Sequence, residues 1–473
     1  KNHSFVIMEF SDVLYYFFHE KIHFTLEFIM LAILTYVLLK RPKRSKGSKL
    51  TDREVQELID EWQPDPLFGQ LDDEQKLDEN IVVLESASGH KAVVKDKEVI
   101  NLAAMNPLGL LGDKDIQQSA VDALRKYGCG SCGPRGFYGT IDVHLDVEEA
   151  IAKFVGTEQA ILYSSTFACV ASVIPTFAKR DDIIYCDRGA NHAIQTGVAL
   201  ARSKVFYFAH NDIVELAKLM EKHAREDPKY KSKRRFVVVE GLYSNYGDIV
   251  ELPAIMELKQ QFCFYLMIDE SHSFGVVGDT GRGVCELFDV DTYDVDISTA
   301  SMGNTLCSIG GVCWGNNSVV THQRLNGSGY VFSASLPPYL SCVILTGLKK
   351  MEHDKSRRAT MKRYAKLARR VLSESKVLTV RCPTATGPYI HIEWSGKDNE
   401  ERLANSKRLQ AVVDECLAQG LLLTRAKYIK DERFPPAPSI RLCFPASMSE
   451  DEARNAVDTI VKVADDVDKL KSV

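Results

Sequence analysis

The 473-residue sequence predicts an α/β fold: a large domain on a mostly parallel sheet, a smaller C-terminal α+β domain, and an N-terminal transmembrane helix. Three observations carry that expectation. Between about residues 96 and 345, short β-branched runs alternate with helical stretches. After Pro337-Pro338 the chain turns to long charged helices with strand-like pieces between them. Near the start, Phe24 to Leu39 form an almost uncharged apolar run. Alternation of strand and helix favours parallel strands, because each crossover returns the chain to the same end of the next strand.

The N-terminal run FTLEFIMLAILTYVLL contains one charge, Glu27, and with Ile22 and His23 it extends over residues 22–39. Eighteen residues make about 27 Å of helix, close to a bilayer core. Lys40, Arg41, Lys43, Arg44, Lys46 and Lys49 follow it, whereas Lys21 on the other flank is mixed with Glu20, Asp12 and Glu9. The positive-inside rule then places everything after Lys40 in the cytoplasm. Residues 1–21, apolar with acids near helical spacing, are expected to form a lumenal interfacial amphipathic helix. Residues 40–95 are charged and proline-bearing, a cytosolic linker and docking segment whose distinctive island is Glu61-Trp62-Gln63-Pro64-Asp65-Pro66-Leu67.

Composition narrows the function. A net charge of −5 gives a nucleic-acid role little electrostatic support. Twelve cysteines scattered from Cys129 to Cys443 without a scaffold rhythm suggest a reducing compartment. Cys129 and Cys132 form a lone C-x-x-C without a second pair or a histidine pair, so no metal site is expected.

Within the large domain, 96–345, the runs AILYSS (160–165), DIIYCD (182–187), KVFYFAH (204–210), RFVVVE (235–240) and FYLMIDE (264–270) are the expected strands. Their carboxyl ends are where a ligand site belongs. The small domain, 346–473, is expected to hold helices around 349–375 and 401–420, strands in YIHIEW and SIRLCF, and a last helix from about Ser449.

Several strand ends carry chemistry. Asp269 ends an apolar strand and His272 follows it; a carboxylate there can pair with a protonated heterocyclic nitrogen, and an imidazole can donate to a phenolic oxygen. Ser164-Ser165-Thr166-Phe167 stands between a strand and an apparent helix, where N–H groups and hydroxyls hold phosphate. His192, in the turn DRGANH, could lie against an aromatic ring. The loop DISTASMGNTLCSIGG (296–311) is made of small residues around Asn304.

The run GCGSCGPRGFYGTIDVHLDVEEAIAKFVGTEQAILYSS (128–165), the DESHSFG turn, the 296–311 loop and FSASLPP (332–338) resemble the α-oxoamine synthases. These are fold-type I pyridoxal 5′-phosphate (PLP) transferases that condense an amino acid with an acyl-CoA thioester. The likeness covers roughly residues 60–465. The Glu-Trp island, the CGPRGFYG run and the anchor narrow it to the long-chain-base branch, which joins L-serine to palmitoyl-CoA to give 3-ketosphinganine.

The resemblance implies roles. Asp269 would face the PLP pyridine nitrogen, His272 its phenolic oxygen, and His192 its ring if one residue is inserted after Asp187. Ser164, Ser165 and Ser301 would meet the phosphate, with Thr166 replacing the usual glycine. Arg441 would hold the amino-acid carboxylate, a bidentate task that suits guanidinium. Asn304 stands where the family carries its Schiff-base lysine, and no lysine occurs between Gln261 and Lys349. An amide cannot form the covalent link or carry the substrate proton.

This chain is therefore expected to be inactive alone and to have no catalytic residue of its own. It would act as a heterodimer with a catalytic long-chain-base subunit that holds PLP covalently. Cys132, Arg135, Phe137, Tyr138, Ser333 and Ser335 would contribute to the partner's active site. Small regulatory membrane proteins and the endoplasmic reticulum membrane complete the expected setting. The alternatives are a regulatory scaffold that contributes nothing to the active site, a chain that binds PLP noncovalently, and a self-sufficient synthase.

Overall fold

The computed structural model describes residues 25–36, 39, 50–64, 67, 73–77, 81–395, 402–429 and 432–471. Residues 1–71 and 72–473 form two compact units.

In the second unit, the large sheet is built from β3 (Gln159–Tyr163), β4 (Ile183–Asp187), β5 (Lys204–Phe208), β6 (Arg235–Glu240), β7 (Tyr265–Asp269), β8 (Ile297–Ser301) and β9 (Gly311–Gly315). Its order is β3-β9-β8-β7-β6-β4-β5. The pairs from β5 to β8 are parallel, while β9 runs antiparallel to both neighbours. The strands are almost continuously apolar because both faces are covered by helices. Tyr185, Val237, Val239, Leu266 and Ile268 point to one core, shared with Val147 and Ile151 of helix Asp142–Val155. Ile184, Val238 and Met267 alternate to the other, against Val173 and Val198 of helices Thr166–Phe177 and His192–Ala201.

The C-terminal region is a four-stranded antiparallel sheet, β10 (Leu378–Val380), β11 (Tyr389–Trp394), β14 (Ile440–Cys443) and β13 (Thr424–Arg425) in that order. Leu409, Val412, Ile460 and Val463 pack with Ile390, Ile392 and Leu442 to form its core. The expected helix at 349–375 is two helices, Pro338–His353 and Lys355–Leu372. Asp354 separates them and caps the second by accepting from the Ser356 N–H.

The expected boundary at 95/96 also differs from the structure. It falls in the turn between β1 (Lys91–Val94) and β2 (Lys97–Asn101). An edge strand needs a backbone partner, and β2 finds it in β12 (Leu421–Leu422), so the hairpin joins the C-terminal region.

The first unit is helical over 25–36 and again over Asp52–Glu61, where Thr51 and Glu54 form a reciprocal capping box. The expected transmembrane helix over 22–39 is not supported. Of that span, residues 25–36 and 39 are described and helical, and residues 22–24, 37 and 38 lie outside the described residues. No helix among the described residues is long and apolar enough to cross a membrane. The expected interfacial helix at 1–21 lies outside the described residues.

The two-sided burial of the sheet yields an expected outcome. Leu266→Ala, at a fully buried position, should cost about 2–5 kcal/mol in chemical denaturation. Leu200→Ala, on an exposed helix face, should stay within about 0.5 kcal/mol.

Candidate functional site

The parallel register brings Glu240 at the end of β6 directly opposite Asp269 at the end of β7. Both are buried. Asn191 lies against both: its backbone N–H donates to Glu240 Oε1 at 2.8 Å and its side-chain amide to Asp269 Oδ2 at 3.0 Å. Its own Oδ1 accepts from the Ile194 N–H and starts the helix that follows. Asp269 Oδ1 accepts from the Ser271 N–H, the Ser271 hydroxyl at 2.6 Å and the Thr299 hydroxyl at 3.0 Å. Burial raises the Asp269 carboxyl above its ordinary range despite these donors. Burial, and then the charge of Asp269, pushes Glu240 up to about 8.

His272 sits beside this pair, its Nδ1 3.8 Å from Glu240 Oε2, and is nearly buried. Burial and then Arg441 push its pKa down to about 3, so the imidazole is neutral. It meets Tyr389 edge to face with centroids 5.5 Å apart. His192 bonds Thr196 at 3.2 Å and lies 6.0 Å from the Phe167 ring. The Nδ1 atoms of both histidines are buried without a hydrogen-bond partner among the described residues.

Asn304 donates to the Ser271 carbonyl at 2.7 Å, which fastens its loop to the turn after Asp269. The phosphate-like turn is engaged as well. Thr166 Oγ1 donates to the Gly310 carbonyl at 2.8 Å and lies 3.1 Å from Ser301 Oγ. Ser301 Oγ also accepts from the Gly303 N–H. Ser165 is the N-cap of helix Thr166–Phe177, accepting from the Ala168 N–H, and Ser164 faces Ser333 at 3.2 Å. A Cβ at Gly311 would lie 2.9 Å from the Thr166 Cα, which is why this close approach requires glycine.

The residues expected to serve a partner divide into two groups. Arg135 is buried in a bidentate pair with Glu148, at 2.8 and 3.1 Å, and bonds Thr140. Ser335 is also buried: its hydroxyl bonds Ser131 and the Gly139 carbonyl, both at 2.5 Å, and its N–H bonds the Gly133 carbonyl. These two residues hold the glycine loop from beneath and do not face outward. Cys132, Phe137 and Tyr138 are exposed. Cys132 and Tyr138 have φ of 57° and 64°, a left-handed conformation that is costly for side chains of this kind. Phe332, beside Ser333, is exposed too.

Arg441 lies on β14 across from His391 and Thr424. One guanidinium N–H donates to the Ala103 carbonyl at 3.2 Å, while Nε is buried without a partner among the described residues.

The chain matches the family model described as aminotransferase class I and II over residues 97–460. Serine palmitoyltransferase 1 of Dictyostelium discoideum is 42% identical over 92% of each chain. Long chain base biosynthesis protein 1 of Arabidopsis thaliana is 37% identical over 94% of this chain and 92% of the relative. The chain belongs to the class I and II aminotransferases, in their serine palmitoyltransferase 1 branch. Its fold is that of the fold-type I PLP-dependent transferases. Among solved structures, Sphingomonas wittichii serine palmitoyltransferase superposes with a TM-score of 0.74 at 25% identity, covering 82% of this chain and 92% of the other.

The family implies PLP, and the residues here fit only part of it. Asp269 retains acceptor capacity on Oδ2 for a ring nitrogen, and two imidazole nitrogens stand unpartnered. Neither anchor fits. Asn304 offers no amine, and the Thr166 hydroxyl is turned onto Gly310 and Ser301.

Sequence reasoning missed Asn191 and Glu240 as site residues, although Asn191 stood in the turn DRGANH and Glu240 at the end of the strand RFVVVE. The polar residue before an apolar helix was the available signal for Asn191. It also missed His210, which follows β5 and bonds Asp187 at 3.0 Å and Asp248 at 3.1 Å while stacking on Tyr246. Burial opposes its charge, but the hydrogen bonds it donates to Asp187 and Asp248 prevail and raise it to about 9. Because the folded value exceeds the ordinary 6.5, its stabilisation is complete below pH 6.5 and lost as pH rises through about 9. His210→Gln should therefore lower stability most near pH 6. Denaturation of the two proteins should converge above the folded pKa, and a constant difference across that window would contradict the assignment.

Proposed function

We propose that this chain is the non-catalytic, required subunit of serine palmitoyltransferase, acting in the first step of sphingolipid biosynthesis. The complex condenses L-serine with palmitoyl-CoA to 3-ketosphinganine, releasing CO2 and CoA. The relatives' names support the reaction, and Asn304 is the observation that carries the subunit's role. With an amide bonded to the Ser271 carbonyl in the lysine's position, this chain has no amine to hold the cofactor.

In this reading the catalytic long-chain-base subunit 2 supplies the lysine and holds PLP, which provides the electron sink when bound. This chain supplies shape. Arg135, Glu148 and Ser335 fix the glycine loop internally, so that Cys132, Phe137 and Tyr138 are presented outward to the partner. Exposed aromatics on a loop held in a costly conformation suit a surface completed by another chain. The complex is placed at the endoplasmic reticulum membrane with its main domain in the cytosol. Small regulatory membrane proteins are proposed as further partners.

The test is the cofactor's absorbance and serine–palmitoyl-CoA turnover, measured for the chain alone and for the chain co-expressed with a lysine-bearing partner. Both signals should be absent alone and appear on pairing. A covalent cofactor band on the isolated chain would overturn the reading. In the heterodimer, Cys132→Trp should lower turnover about tenfold or relax selectivity for serine, through displacement of the loop. Unchanged turnover and selectivity would remove the loop from the partner's site.

A further inference from the structure

A groove of about 530 Å³ lies in the C-terminal region, between helix Lys355–Leu372 and the 383–386 turn that leads from β10 into β11. Its lining holds four cations, Lys362, Lys366, Arg369 and Arg370, and no acidic side chain. Lys362, Lys366 and Arg370 recur every fourth residue, so they form a row on one helix face, about 12 Å from first to last. All three are exposed, and none of their side chains makes a hydrogen bond or ion pair among the described residues. Other cations of the same helix are matched: Arg357 pairs with Asp354 and Arg363 with Glu450. The row is therefore a local excess of positive charge on a chain whose net charge is −5.

Arg369 closes the groove from within. It is buried, and its two terminal nitrogens donate to the Gly387 and Tyr389 carbonyls at 2.7 and 2.8 Å. Its Nε is buried without a hydrogen-bond partner among the described residues. The guanidinium is thus fixed in place with one donor uncommitted, and a desolvated cation of this kind is compensated by an anion. Ser373, Thr384 and Thr386 add hydroxyls to the lining.

We infer that this groove binds a small molecule carrying at least two phosphate monoesters, free or as the head group of a lipid. Each such phosphate carries about −1.5 to −2 charges and three acceptor oxygens, so two of them balance the four cations where one carboxylate would not. Lysine serves as a point charge for phosphate, and Arg370 offers a free fork for bidentate contact. A groove of this volume is the size of a small-molecule site. The inference rests on this helix and turn alone and is independent of the role given to Asn304.

The test is equilibrium binding of tritiated inositol trisphosphate to the full chain paired with its partner subunit, at physiological salt. Saturable binding at one site per chain is expected, with inorganic phosphate competing at least a hundredfold more weakly because it meets fewer of the cations at once. Lys366→Glu, an exposed substitution, should weaken binding about tenfold or more with the thermal melt unchanged. Lys222→Glu, an equal charge change at an exposed position outside the groove, should bind as the unaltered protein does. Vesicles of phosphatidylcholine with phosphatidylinositol bisphosphate separate the two sources: competition at equal head-group concentration supports a lipid-borne ligand, and its absence supports a free one. Binding that does not saturate, that survives Lys366→Glu, or that falls equally in Lys222→Glu would overturn the assignment. So would binding by the chain alone that is lost on pairing, or a doubly phosphorylated peptide that binds tenfold more tightly, since each makes the groove a protein interface.

Discussion

The carboxyl edge of the large sheet depends on one constraint: two carboxyl groups at facing strand ends must be buried together. Parallel pairing of β6 and β7 makes Glu240 and Asp269 neighbours, and helices on both faces remove the water that would separate them. A buried charge without partners is costly, so the edge is built around donors. Asn191 reaches both groups while capping its own helix, and Ser271 and Thr299 satisfy the remaining oxygen of Asp269. Through Ser271 the same network reaches Asn304. Asn304 is thus bonded to the turn that follows Asp269.

The glycine loop shows a second division of labour. Arg135 and Glu148 form a desolvated bidentate pair, and Ser335 bonds Ser131 and Gly139 beneath the loop. Removing one member of such a pair leaves an uncompensated charge, so the pair fixes geometry more than it adds net stability. A Cβ on Gly139 would stand 2.0 Å from the Gly133 carbonyl, which leaves this crossing to glycine alone. With the interior fixed in this way, Cys132, Phe137 and Tyr138 remain exposed.

The sequence was most informative where one physical requirement set many residues at once. Burial on both faces made the strands apolar along their length, and RFVVVE and YIHIEW coincide with β6 and β11. The side-chain chemistry at position 304 was equally plain, since no contact is needed to see that an amide is not an amine. Boundaries were less legible. Asp354 interrupts what reads as one charged helix, because a capping side chain can begin a new helix where composition shows no break. Residues 91–95 read as the end of a linker and 96–101 as the start of the large domain, because the hairpin's partner, β12, lies more than three hundred residues further along the chain.

The sequence by itself thus determined the α/β class of the large domain, the strand-end positions of Asp269, His272 and Ser301, and the amide chemistry of Asn304. These follow from local pattern and from side-chain chemistry, which the order of residues specifies directly. Only the tertiary structure decided that Asn191 joins Glu240 to Asp269 and that Arg135 and Ser335 face inward while Tyr138 faces out. Each of those is a relation between distant segments, set by strand register and by the need to satisfy buried polar groups, and neither is written in any one stretch of the chain.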